Sequence, residues 1–62
     1  MVRDSKTVFE EMEKVMESMI EDGTQWAEKG TKTAAARVRK ATLQLAKLGK
    51  EFRRLSVDES KK

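Results

Sequence analysis

The chain has 62 residues, of which 40% are charged, and a formal net charge of +3, and it lacks the run of about 20 apolar residues that a membrane span needs. Because Cys and His are both absent, disulfides are excluded, and neither a metal site nor another cofactor is predicted. No signal peptide follows Met1, so the sequence is expected to form one cytoplasmic domain over residues 1–62. A core of this size supplies only about 3–5 kcal/mol of folding free energy, which favours self-association.

The first predicted element is a helix over about residues 4–28. Apolar residues recur there at the i, i+3, i+4 and i+7 spacing of one helical face, and Asp4 or Ser5 can cap its start. Gly23 leaves an alternative open, since a helical glycine costs about 1 kcal/mol relative to alanine and this segment could be a kink or the turn itself. We prefer a continuous helix. Trp26 is placed in its core rather than on a stacking surface.

A turn over about residues 29–32 and a second helix over about residues 33–57 follow, and residues 58–62 are expected to be a frayed polar end. Gly30 occupies the position of a glycine that ends a helix, and a threonine after it would cap the next one. The apolar residues of the second helix alternate steps of four and three, as in a coiled-coil seam. The seam consists of Ala34, Val38, Ala41, Leu45, Leu48, Phe52 and Leu55.

These two helices are predicted to form an antiparallel helical hairpin, an all-α fold. Large residues of the first helix would face small residues of the second, and Phe9 would face Phe52. One hairpin has a single interface, so part of its apolar surface would stay in water unless a second copy covers it. The predicted assembly is therefore a dimer, either a four-helix bundle or a coiled coil. Its contact residues would be Val15, Val38, Leu45, Leu48 and Phe52.

Charge divides the sequence into an acidic half and a basic half. Residues 1–30 hold four cations and eight acids, whereas residues 31–62 hold ten cations and three acids. The cations are dense around residues 29–40, where free backbone N–H groups at the helix start add a further anion site. This pattern indicates binding to a polyanion, with double-stranded DNA as the expected partner. The predicted DNA-binding residues are Lys29, Thr31, Lys32, Thr33, Arg37, Arg39, Lys40 and Lys47.

Other interpretations of the charges are open. Basic residues on a helix are often solvated or paired with a neighbouring acidic helix, and Glu21 would approach Lys40 in the hairpin. The chain could then be a protein–protein scaffold or coiled-coil adaptor with no nucleic-acid role. A helix lying on an anionic membrane surface is disfavoured because the first helix is acidic. No enzyme activity and no small-molecule substrate are predicted, since no Ser or Thr has a recognisable base nearby.

The segment at residues 29–40, KGTKTAAARVRK, resembles bacterial histone-like proteins of the chlamydial linker-histone type, as do the later Gly-Lys and Arg-Arg pairs. In that family an acidic first helix leads through a Gly-Asn-Lys turn to a basic second helix, and Thr31 replaces the asparagine here. The resemblance implies an abundant nucleoid protein that organises and condenses the chromosome and binds DNA with little sequence preference. It assigns the binding to Lys32, Arg37, Arg39 and Lys40. The sequence is expected to be a short, tail-less member that compacts DNA by bridging.

Overall fold

The computed structural model describes residues 3–61 as two long α-helices joined by a short turn. The first helix, α1, spans Ser5–Lys29, and the second, α2, spans Lys32–Ser60. They pack antiparallel in a hairpin that measures 49 × 19 × 14 Å. The described part of the chain is therefore all-α, and the fold class predicted from the sequence is confirmed.

Local sequence signals determine both ends of α1. The Asp4 carboxylate accepts a hydrogen bond from the Thr7 backbone N–H at 2.9 Å, which satisfies a free donor of the first turn. Hydrogen bonding to Thr7 holds the pKa of Asp4 below its usual range. At the other end Gly30 has a φ of 64°, and its N–H donates to the Trp26 carbonyl at 2.9 Å. A side chain would be strained at this φ, so glycine here both ends α1 and turns the chain. Gly23 lies within the continuous helix, as preferred, and not in a turn.

The C-terminal end of α2 differs from the prediction. Residues 58–60, expected to belong to a frayed end, are helical. The Glu59 carboxylate accepts hydrogen bonds from the Ser5 backbone N–H at 2.8 Å and from the Ser5 hydroxyl at 2.7 Å. Glu59 thereby satisfies a free amide at the start of α1 and joins the last turn of α2 to it. The prediction was wrong because this partner is distant in sequence and leaves no local signal. Lys62, the last residue of the predicted tail, lies outside the described residues.

Arg3 connects the two helices at the same open end of the hairpin. Its guanidinium donates two hydrogen bonds of 2.8 Å to Glu11 on α1 and two more, of 3.0 and 2.7 Å, to Glu51 on α2. These contacts raise the pKa of Arg3, and the hydrogen bond from Arg3 lowers the pKa of Glu11. Because water screens such exposed pairs, they add little to the stability of the fold.

The hydrophobic core between the helices is thin. Within residues 3–61, Val8 and Ala34 are fully buried and Ala41 is nearly so. Every member of the predicted α2 seam is buried or half-buried, so the seam faces α1 as expected. The rings of Phe9 and Phe52 also meet as predicted, with their centroids 6.2 Å apart. Small residues at the centre allow the helices to approach closely, but they bury little apolar surface.

Trp26 does not lie in the core, and this prediction was wrong. It follows Val8 by about five turns on the same face of α1, yet its side chain is 48% exposed. Near the turn α2 offers only the alanines at residues 34–36, and an indole is too large for three methyl groups to cover. The helical spacing therefore predicts the correct face, whereas the difference in side-chain size leaves the ring half in water.

Candidate nucleic-acid interface

The two outer faces of the hairpin carry opposite charges. The side of α1 that points away from α2 holds a row of exposed acids, which we call the acidic face: Glu10, Glu13, Glu17, Glu21 and Glu28. The side of α2 that points away from α1 holds exposed cations, which we call the basic face: Lys32, Arg39, Lys40, Lys47, Lys50, Arg53 and Arg54. Both rows arise because acids and cations recur at helical spacing opposite the apolar seam of their own helix. The charge asymmetry of the sequence thus becomes a spatial asymmetry.

Ion pairing does not occupy the basic face. The salt bridges within residues 3–61 are Arg3–Glu11, Arg3–Glu51 and Arg37–Asp22. None of them includes a member of the basic or the acidic face, since these faces lie on opposite sides of the helix pair. Glu21 and Lys40, which the sequence suggested as neighbours, form no ion pair: both are exposed, and Lys40 lies at the edge of the basic face, beside the groove between the helices. The cations of the basic face therefore remain available to an external anion.

The residues predicted to bind DNA fall into two groups. Four of them belong to the basic face: Lys32, Arg39, Lys40 and Lys47. The others lie at the turn or on the side of the hairpin. Lys29 ends α1, Thr31 occupies the N-cap of α2 without a side-chain capping bond, and Thr33 is exposed in the first turn. Arg37 lies on the side, where its Nη1 is 3.7 Å from the Asp22 Oδ1, so it is partly neutralised within the hairpin.

The basic face includes three cations, and surrounds one apolar residue, that were not among the predicted DNA-binding residues. Lys50, Arg53 and Arg54 continue the basic face toward the C-terminal end of α2. The prediction emphasised the density of cations near the turn and therefore stopped at Lys47. Leu43 lies within the same face and is 66% exposed. The signal for it was present in the sequence, because Leu43 does not fit the steps of four and three that define the seam.

A shallow groove runs along one side of the hairpin, between the helices. Its lining is Lys14, Val15, Ser18 and Asp22 from α1 and Arg37, Lys40, Ala41 and Gln44 from α2. Charges of both signs line it and it is open to water, so it offers neither an enclosed pocket nor a uniform anion site. Among residues 3–61, no group of three or more His, Cys, Asp or Glu side chains could hold a metal ion. No helix in this part of the chain is both long and apolar enough to cross a membrane.

A protein-family model matches most of the chain. It is described as Histone H1-like protein Hc1 and matches residues 6–62. The matched segment contains all of α2 and nearly all of α1, and so it includes both the acidic and the basic face. No curated protein and no solved structure matches the chain.

Proposed function

This chain belongs to the family of the histone H1-like protein Hc1, whose members are DNA-binding proteins without enzymatic activity, and we propose that it is a nucleoid protein that contacts the phosphate backbone of double-stranded DNA. The observation that carries this proposal is the basic face, with seven exposed cations and no ion pair among the described residues. A duplex presents one negative charge per about 1.7 Å of its axis. With 29 residues, α2 is about 44 Å long, so its row of cations can follow many phosphates.

The basic face supports binding without a strong sequence preference. Its polar members are all Lys or Arg, and it contains none of the Asn or Gln side chains that read adenine. Contacts to phosphate position a protein but carry no sequence information. A protein of this kind would coat many sites along a chromosome, which supports a role in organising the nucleoid within the bacterial cytoplasm.

Sequence-neutral binding is the first expected result. Unrelated duplexes of equal length should bind within a few-fold of one another, and affinity should fall steeply as salt is added. Gel shifts with several random duplexes over a range of salt concentrations would measure both effects. A preference of about a hundredfold for one duplex, approaching the range of specific binders, would contradict the phosphate mechanism. Failure to bind any duplex at low salt would refute the DNA function and leave the scaffold alternative.

We also propose that the hairpin dimerises, as one interface leaves much apolar surface in water. The side opposite the groove, which we call the apolar side, consists of Phe9, Met16, Ile20 and Ala27 on α1 and Ala35, Thr42, Ala46 and Gly49 on α2. Phe9 is 45% exposed and Ile20 is 67% exposed. Of the residues predicted as dimer contacts, Val38 and Leu45 border this side, whereas Val15 and Leu48 line the opposite groove, and Phe52 packs against Phe9 within the hairpin.

Charge favours one arrangement of such a dimer. If α1 of one protomer lies against α2 of its partner, each acidic face adjoins a basic one, and repulsion between like faces is avoided. The two basic faces then point in opposite directions. One dimer could therefore hold two duplexes, which is a physical route to condensation by bridging.

The dimer can be tested without DNA. We expect sedimentation equilibrium to give a dimer at micromolar concentration and the Ile20→Asp variant to be monomeric, because an unpaired charge would be buried in the interface. Leu43→Asp is a matched control, since Leu43 is 66% exposed but lies on the basic face, and this variant should remain dimeric. A wild-type chain that sediments as a helical monomer, or two variants that dissociate equally, would contradict the proposed interface.

A further inference from the structure

Leu43 is an apolar side chain in the middle of the basic face. It points away from α1, nearly opposite the seam, and 66% of it is exposed. Residues three and four positions away are its neighbours on the helix surface. They are Arg39, Lys40, Ala46 and Lys47. Neither the hairpin core nor the apolar side accounts for a leucine at this position.

The basic face is organised in three rows that repeat every seven residues, which is about two turns of helix. One outer row contains Lys32, Arg39, Ala46 and Arg53, and the other contains Thr33, Lys40, Lys47 and Arg54. Between them runs a central row of Ala36, Leu43, Lys50 and Val57. Three of these four central residues are apolar, and Val57 is 53% exposed. The middle of the face is therefore largely apolar, and six of the eight residues in the two outer rows are cations.

This arrangement matches the cross-section of the major groove of DNA. The groove is about 12 Å wide and admits an α-helix, whereas the minor groove, at about 6 Å, does not. Phosphates line both rims of the major groove, and its floor presents base edges that include the thymine methyl group. A helix with cations on both flanks and small or apolar residues between them places charge at the rims and apolar atoms at the floor.

We propose that α2 lies lengthwise in the major groove, with Leu43 against the base edges and the two outer rows of cations against phosphates on both rims. This proposal rests on the proposed DNA binding and adds its geometry. Because the groove winds around the duplex, a straight helix stays inside it over only part of its length. Leu43 is the apolar member of the central row nearest the middle of α2, so it makes the closest approach to the thymine methyl groups.

Thymine methyl groups provide a direct test. An alternating A·T duplex presents them in every register, and the same duplex with uracil in place of thymine lacks them. We expect the wild-type protein to bind the uracil duplex about three- to fivefold more weakly, which is the effect of losing one buried methyl contact. The Leu43→Ala variant should bind the thymine duplex more weakly than wild type does and should not distinguish the two duplexes. The slope of its log affinity against log salt concentration should equal that of wild type, because no phosphate contact is lost.

The Glu17→Ala variant is the control. Glu17 is exposed on the acidic face of α1, outside both the basic face and the apolar side, so this variant should keep the preference for thymine. Equal preferences for thymine in wild type and Leu43→Ala would overturn the groove placement while leaving the DNA function intact. Dissociation of the dimer in Leu43→Ala would also overturn it, because Leu43 would then be a protein contact. Absence of wild-type binding to both duplexes would instead refute the proposed function itself.

Discussion

Replacing Arg39, Lys40 and Lys47 together by glutamine should weaken binding to duplex DNA by about two to three orders of magnitude at 0.1 M salt. Each phosphate contact contributes a slope of about −0.9 to the dependence of log affinity on log salt, so three contacts correspond to about 2.7 log units at that concentration. The slope of log affinity against log salt should also become less steep, by about 2.7 for each hairpin that binds. Gel shifts over a salt series would measure both the affinity and the slope.

This large effect on binding should come without a loss of fold. All three side chains are exposed and make no ion pair within the described residues, and glutamine is nearly as good a helix former as lysine or arginine. The matched control changes Glu10, Glu13 and Glu17 to glutamine on the acidic face. That variant also changes three charges, but none of these side chains contacts phosphate. Its slope of log affinity against log salt should therefore equal that of wild type.

Other outcomes would relocate or remove the site. If the three substitutions leave affinity and slope unchanged while changing Lys50, Arg53 and Arg54 abolishes binding, the site lies at the C-terminal end of α2. If only substitutions at Lys29 and Arg37 weaken binding, the turn and the adjoining side of the hairpin, rather than the basic face, contact DNA. If none of these substitutions has an effect, the DNA function fails, and a protein–protein scaffold becomes the better explanation.

Signals that act within one turn of helix made the hairpin predictable from the sequence. Asp4 caps α1, and Gly30 takes up the left-handed conformation that ends it, and both are local effects. The seam of α2 was equally clear because its steps of four and three are uninterrupted. Two predictions were wrong for different reasons. The exposure of Trp26 depends on the size of the side chains across the turn, and the helical conformation of residues 58–60 depends on the hydrogen bond between Ser5 and Glu59.

The candidate site was only partly predictable, because charge density and charge orientation are different properties. The sequence shows that cations cluster at residues 29–40, and this favoured Arg37 and Lys29. Orientation depends on which side of α2 packs against α1, and it places Arg37 beside Asp22 instead. Leu43 was overlooked for a related reason. Its spacing excludes it from the seam, but only the packing of α2 against α1 shows that it lies among the cations of the basic face.

Replacing Val8 by alanine should destabilise the hairpin by about 2 kcal/mol. Val8 is the one large side chain among residues 3–61 that is fully buried, and removing two of its carbons loses about 0.8 kcal/mol for each, with a further loss for the cavity. A single core of this size supplies about 3–5 kcal/mol in total. The expected fall in Tm is therefore about 8–16 °C for a domain of this length.

Val57→Ala is the matched control for this prediction, because it makes the same chemical change at a side chain that is 53% exposed. Its effect should stay within about 0.5 kcal/mol, as for most surface substitutions. Thermal unfolding followed by circular dichroism would compare the two, at one fixed protein concentration because dimerisation makes Tm depend on concentration. If both variants have the same Tm as wild type, Val8 is not the centre of the core, and the helices pack in another register. If Val8→Ala melts early and yet binds DNA at low temperature as wild type does, the basic face acts independently of core strength, as its place on the outer side of α2 requires.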